Sequence, residues 1–202
     1  MHRSTLLLMT LALLPSAAGA ETNMAGVTYN YSFPAVDIDK YVGADSWYGF
    51  TVDFRRRMTG NPNTLVGISS GWHVFYDTVN QVIELDNVAI SGDQYRSFNV
   101  IPILANATRL LGKDGETRPY VALHAGAYWI EQELDIGLYA YTKSNWHFGM
   151  APEVGVTFPV RTDGSVYFNA RYHYPLSGGD YLGGDSLTLP FLTLGVGIAW
   201  TS

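Results

Sequence analysis

The chain has no cysteine, so no disulfide can hold its fold, and the small disulfide-stapled scaffolds of secreted proteins are excluded. Charge is sparse, at 15% of residues, and its balance is acidic, with 12 Lys plus Arg against 18 Asp plus Glu, which argues against nucleic acid as a partner. Long apolar runs are missing too. After the N-terminal segment no stretch approaches the roughly 20 residues that a membrane-spanning helix requires. There is no P-loop, no zinc-ligand spacing and no dinucleotide fingerprint between a strand and a helix, and the sequence points to no cofactor and no metal site. A chain of this kind can cross a membrane only with strands.

What is present starts with a basic opening (His2, Arg3), an apolar run from Leu6 to Leu14, and Ala18-Gly19-Ala20, the pattern of a cleavable signal peptide. The expected organisation is a signal peptide over 1–20 and one barrel domain over 21–202. Arg3 is the one formal charge in the leader, so 11 Lys plus Arg would remain against 18 Asp plus Glu, a mature charge of −7.

Beyond the leader, apolar and polar residues alternate at period 2 in segment after segment. The last is the clearest: Leu192, Leu194, Val196, Ile198 and Trp200 share one parity, and Thr193, Gly195, Gly197 and Ala199 the other. On a pleated strand the first set forms one apolar face and the second a face of small side chains. The same alternation predicts strands at 25–33, from Tyr48 to a turn at Thr59–Asn63, and at 64–76, 95–109, 118–131, 146–160 and 164–175. Within 95–109, Ile103–Leu111 also fits helical spacing, and Pro102 is awkward in a central strand. With the C-terminal segment this makes an all-β, eight-stranded antiparallel up-and-down transmembrane β-barrel.

The connections alternate between short and long, with the long ones expected at about 34–46, 77–94, 132–145 and 176–189. Short turns on one rim and long loops on the other are the habit of bacterial outer-membrane barrels. An aromatic girdle is expected near the outer strand ends at Trp47, Tyr48, Tyr76, Tyr95, Trp129, Trp146, Tyr172 and Tyr174, and near the inner ends at Phe54, Tyr120, Phe158 and Trp200.

These features, with Gly195-Val196-Gly197-Ile198-Ala199-Trp200 at the C-terminal end and the segments Asn99–Ile103, Arg118–Ala127 and Phe148–Gly155, resemble the small outer-membrane β-barrel proteins of the OmpA/OmpX type. The resemblance spans roughly residues 25–200, and Thr201 and Ser202 depart from it by following the terminal aromatic. It implies residence in a bacterial outer membrane, contact with outer-membrane lipids and lipopolysaccharide, and passage through the barrel-insertion machinery. The expected state is a monomer.

If the apolar parity faces lipid, the other parity fills the lumen with Asp53, Arg55, His73, His124, Glu153, Asn169, Arg171 and His173. A three-residue turn at Arg161–Asp163 pairs Val160 with Gly164, and the same register sets Glu153 opposite Arg171 as an interior ion pair. The expected role of this cluster is structural. Three features admit other chemistry. His173 and Ser177 resemble the His and Ser of lipid A-modifying barrels. Asp180 and Asp185 lie in a glycine-rich loop whose oxygens are of the kind Ca²⁺ takes, and the loop reads as flexible and solvated instead. Arg55-Arg56-Arg57 reads as a strand end where Arg56 meets headgroups. No catalytic residue is assigned. The reading is a non-enzymatic outer-membrane barrel with a structural or surface-interaction role; its rivals are a soluble lipocalin-like barrel that turns its apolar parity inward around a ligand, and a lipid A-modifying enzyme.

Overall fold

A computed structural model describes residues 23–35, 38, 42–85, 88–137, 139–176, 180–181, 184–185 and 189–202. The expected signal peptide, Ser177 and parts of the loops expected at 34–46, 77–94, 132–145 and 176–189 lie outside them. Eight antiparallel strands close into a barrel: β1 Asn23–Pro34, β2 Tyr48–Met58, β3 Asn61–Leu85, β4 Val88–Leu110, β5 Arg118–Ile136, β6 Tyr139–Pro159, β7 Gly164–Pro175 and β8 Phe191–Thr201. Each strand pairs with its sequence neighbours, and β1 pairs with β8 to seal the ring, so the barrel itself leaves no open edge. A two-stranded ribbon, Asp180–Tyr181 with Gly184–Asp185, forms a separate sheet.

The period-2 pattern maps onto the two faces as the strand geometry demands. On β8, Leu194, Val196, Ile198 and Trp200 are exposed while Thr193 and Ala199 are buried. On β6, Val154 is 57% exposed beside Glu153 at 1%. The small-residue face of β8 also has a purpose. A Cβ on Gly195 would press on Asn169, Thr28 and Asn30, and one on Gly197 would meet the Tyr167 ring, so these glycines are slots for lumen side chains.

Pro102 and Pro152, each in mid-strand, sit at a gap in one of their two ladders. Between β3 and β4 the pairing passes from Ser70↔Ile103 to His73↔Val100 and skips Pro102, although the register on either side is the same. Between β6 and β7 it passes from Met150↔Tyr174 to Glu153↔Arg171 and skips Pro152. A residue without an N–H is accommodated where no ladder bond is asked of it. The segment 103–111, open to a helical reading, is strand as far as Leu110.

Two expected loops are corrected. The connections at 77–94 and 132–145 are largely strand: β3 and β4 run on as a hairpin to Leu85↔Val88, and β5 and β6 to Ile136↔Tyr139. Because β2 first pairs at Tyr48↔Val74 and β7 last pairs at Gly149↔Pro175, these four strands rise beyond the closed ring as a single sheet. The cause is solvation. Toward the end of these hairpins described residues such as Asn80, Asp93 and Thr142 are exposed and polar, so the backbone stays extended while the apolar–polar alternation of the ring segments is lost.

Candidate functional site: a filled lumen

The lumen is built in two layers. The lower is ionic. Asp53 and Arg55 come from β2, Glu153 from β6, opposite β2 across the ring, and Arg171 from β7. All four are buried, with 4% exposure or less. Arg55 Nη2 donates to Asp53 Oδ1 at 3.1 Å and reaches Glu153 Oε1 at 3.5 Å. Arg171 Nε donates to Glu153 Oε2, and its Nη2 lies 3.5 Å from Asp53 Oδ1. Two carboxylates and two guanidiniums thus neutralise one another where an unpaired charge would be costly. The turn that sets this register is the expected one: the Val160 N–H donates to the Gly164 carbonyl at 2.9 Å, and Glu153 stands opposite Arg171.

Side chains from neighbouring strands complete the layer. Tyr120 OH donates to Glu153 Oε1 at 2.7 Å, His124 Nε2 lies 3.1 Å from Glu153 Oε2, and the Arg55 guanidinium sits 5.8 Å from the Tyr120 ring centre. Tyr167 OH and Thr28 Oγ1 share a 2.6 Å hydrogen bond. Tyr120 therefore belongs to the lumen, at 3% exposure, and not to the inner aromatic girdle. Its parity with His124 carried that information. The participation of Tyr167 left no signal beyond its parity with Asn169 and Arg171.

The upper layer is apolar. Phe75, Phe98, Val100, Ile130 and Phe191 point inward at 0–1% exposure and close on Ile38 and Val42 from the β1–β2 connection and Leu189 from the β7–β8 connection. His173 lies at the junction of the layers, its ring stacked on Phe191 at 4.3 Å and its Nδ1 3.3 Å from Tyr128 OH. His73 is 5.2 Å from the same stack, with Ser32 Oγ at its Nδ1. Asn169 is 7% exposed beside the Gly195 slot. The loop side chains that seal the lumen could not be assigned from period 2, because they lie outside the strands.

Outside, Trp47, Tyr48, Tyr76, Trp146, Tyr172, Tyr174 and Trp200 are exposed and Trp129 is half-buried. Tyr48, Tyr76 and Tyr95 form a run of rings with centres 5.6 and 6.1 Å apart. Arg56 points outward and is exposed. Asp180 and Asp185 face each other across the small ribbon. Among the described residues no group of three or more His, Cys, Asp or Glu is arranged to hold a metal ion.

At the end holding both termini the lumen opens into a vestibule. There Asp114, in the β4–β5 turn, accepts from Arg57 Nη1 at 3.0 Å and Arg118 Nη1 at 2.9 Å. The hydrogen bond from Arg57, with the charges of both guanidiniums, holds the Asp114 carboxyl below the usual carboxylate range. A carboxylate depressed in this way adds stability that is present above its unfolded pKa and is lost as pH falls through the lower folded value. Since the Asp114 side chain is 69% exposed, Asp114→Asn is expected to cost less than about 1 kcal/mol at neutral pH, with the difference vanishing in acid. Urea unfolding of both chains at neutral and acid pH, followed by tryptophan fluorescence, measures it.

A closed ring of eight strands, apolar without and filled by charges within, is the architecture of the small outer-membrane β-barrels. Among solved structures the chain is similar to Neisserial surface protein A (TM-score 0.57, 13% identity, 92% of this chain and 99% of that one) and to a major outer membrane protein from Thermus thermophilus (0.61, 10%, 91% and 100%). It is also similar to the outer membrane protease OmpT from Escherichia coli (0.52, 8%, 94% and 99%). No family model matches the chain, and no curated protein matches it in sequence.

Proposed function

We propose that the chain is an integral protein of a bacterial outer membrane, exported by an N-terminal signal peptide, with a non-enzymatic structural or surface-interaction role. The observation that carries this reading is the sorting of side chains: Val154 and Ile198 are exposed on the outside while Asp53, Arg55, Glu153 and Arg171 are buried within. A soluble ligand-binding barrel of lipocalin type reverses that order. The exposed aromatic rings serve as anchors at the membrane interfaces, where amphipathic rings are favoured. Lipopolysaccharide and outer-membrane phospholipids are then the surrounding solvent, and the insertion machinery a transient partner. The barrel acts as a monomer.

The sheet of β3–β6 that rises above the ring supplies the contact surface, since in this orientation it stands on the extracellular side. Catalysis is disfavoured by the environment of His173. Its Nδ1 faces a phenol and its ring is stacked on Phe191, whereas a general base needs an orienting acceptor and a nucleophile in reach. OmpT is a protease with a similar fold, but fold alone does not transfer an activity.

Conductance tests the filled lumen. Purified protein in planar bilayers is expected to show no appreciable single-channel current, because an apolar seal and an ionic layer lie in series across an interior only wide enough for side chains. Stable open-channel steps would contradict it. Unchanged lipid A composition on overexpression is the companion result for the non-enzymatic role, and new or lost acyl chains would overturn that role.

A further inference from the structure

The vestibule at the termini is a cavity of about 720 Å³ that reaches inward to Arg55, Tyr120 and Tyr167 and is walled by Arg57, Thr108 and Arg118. Its wall carries a surplus of donors. The Nε atoms of Arg55, Arg57 and Arg118 and the Thr108 hydroxyl are buried and have no hydrogen-bond partner. Arg55, Thr108 and Arg118 are themselves more than nine-tenths buried, at 4%, 1% and 4% exposure. A guanidinium can only donate, so the group lacking here is an acceptor.

Acceptors of negative charge are in short supply at the same place. Arg55 is occupied by Asp53 and Glu153 in the ionic layer, and Arg57 and Arg118 share the single carboxylate of Asp114. Arg118 Nη2 turns to a neutral acceptor, Asn63 Oδ1. Of the other acids on the wall, Asp163 lies 4.0 Å from Arg161, and Glu116 sits on the rim in an exposed turn. Asp114 is tethered unusually loosely for a partner of two arginines. Its side chain is 69% exposed, and the turn that carries it is bracketed by Gly112 and Gly115, at φ 91° and 82°. A carboxylate on such a turn occupies the position that the oxyanion of a ligand would take.

We propose that the vestibule is a binding site for a small oxyanion, which engages Arg57 and Arg118 in place of the Asp114 carboxylate and enters from the end of the barrel that holds both termini. Bidentate guanidinium pairs suit phosphate and carboxylate alike, and a cavity of this volume admits a small solute. The proposal concerns the folded barrel in any medium and does not depend on the role assigned to the outer surface.

The test is titration of the full-length barrel in detergent with inorganic phosphate and, separately, with acetate, at low ionic strength and followed by calorimetry. The unaltered chain and Asp114→Asn, Arg57→Gln and the double variant are compared, each checked for folding by its gel mobility before and after boiling. Asp114→Asn removes the competing charge and is expected to bind phosphate about tenfold more tightly than the unaltered chain, and Arg57→Gln is expected to abolish that gain. Competition by acetate at similar concentration assigns the ligand to the carboxylates, and binding of phosphate alone assigns it to phosphates. The proposal is overturned if neither anion binds saturably to Asp114→Asn, or if binding is the same with Arg57 replaced.

Discussion

Replacing Glu153 by Ala is expected to cost about 3–5 kcal/mol of folding stability, the range for removing one partner from a buried charge pair. The residue holds together three strands' worth of charge: it accepts from Arg171 and Tyr120, and lies 3.5 Å from Arg55 across the ring. Without it, two guanidiniums on β2 and β7 are left with Asp53 alone. Against a typical total of about 5–15 kcal/mol such a loss is large. It is read as a fall in the urea midpoint in detergent micelles and as a smaller heat-modifiable fraction on gels. The cost arises from the stranded charge. The double variant Glu153→Gln with Arg171→Met should therefore recover much of the loss, since replacing both members of a buried pair with groups of similar volume is often close to neutral. A loss below about 1 kcal/mol for Glu153→Ala, in the range of an exposed ion pair, would mean that water reaches the ionic layer.

Val154→Arg is the second large effect, and its size depends on what surrounds the barrel. Val154 is 57% exposed in the middle of the part of β6 that belongs to the closed ring, beside Val121 on β5 and Ala170 on β7. On a water-facing surface the change would stay within about 0.5 kcal/mol. Facing the centre of a bilayer, it is expected to cost about 2–4 kcal/mol, falling to about 0–1 kcal/mol when arginine replaces Trp200 near the strand end. Reversible unfolding in liposomes, compared for the two variants, gives both numbers. Equal costs at the two depths would contradict the membrane reading.

The parts of this fold that were legible in the sequence are those where two different media meet across one strand. Along β8 an exposed outer face on one side and a crowded lumen on the other impose the alternation of Leu194, Val196 and Ile198 with Gly195 and Gly197, so strand, face and register could be read together. The Glu153–Arg171 pair was legible for a local reason, since a three-residue turn sets the offset of β6 against β7. The other half of the ionic layer was not. Arg55 meets Glu153 across the diameter and Asp53 meets Arg171 from a strand that is not its neighbour, and both contacts depend on closure of the ring rather than on any neighbouring strand. The extension of β3–β6 escaped detection because polar residues such as Asn80, Asp93 and Thr142 are exposed there, and the apolar half of the alternation is lost. The apolar seal escaped it because Ile38, Val42 and Leu189 lie in connections, where no periodicity assigns a side chain to the interior. Pro102 looked out of place in a central strand, yet the ladder toward β3 lapses at that residue.

The absence of cysteine makes the central claim directly measurable. Single cysteines placed in turn at residues 192–194, 196 and 198–200 of β8, spin-labelled and reconstituted in lipid, report access to dissolved oxygen against access to a water-soluble nickel complex. Contact with the lipid-soluble reagent is expected to alternate at period 2, high at Leu192, Leu194, Val196 and Ile198 and low at Thr193 and Ala199, with the glycine slots at 195 and 197 left unaltered. High nickel access at the first set, or oxygen access without alternation, would contradict an apolar face turned toward acyl chains.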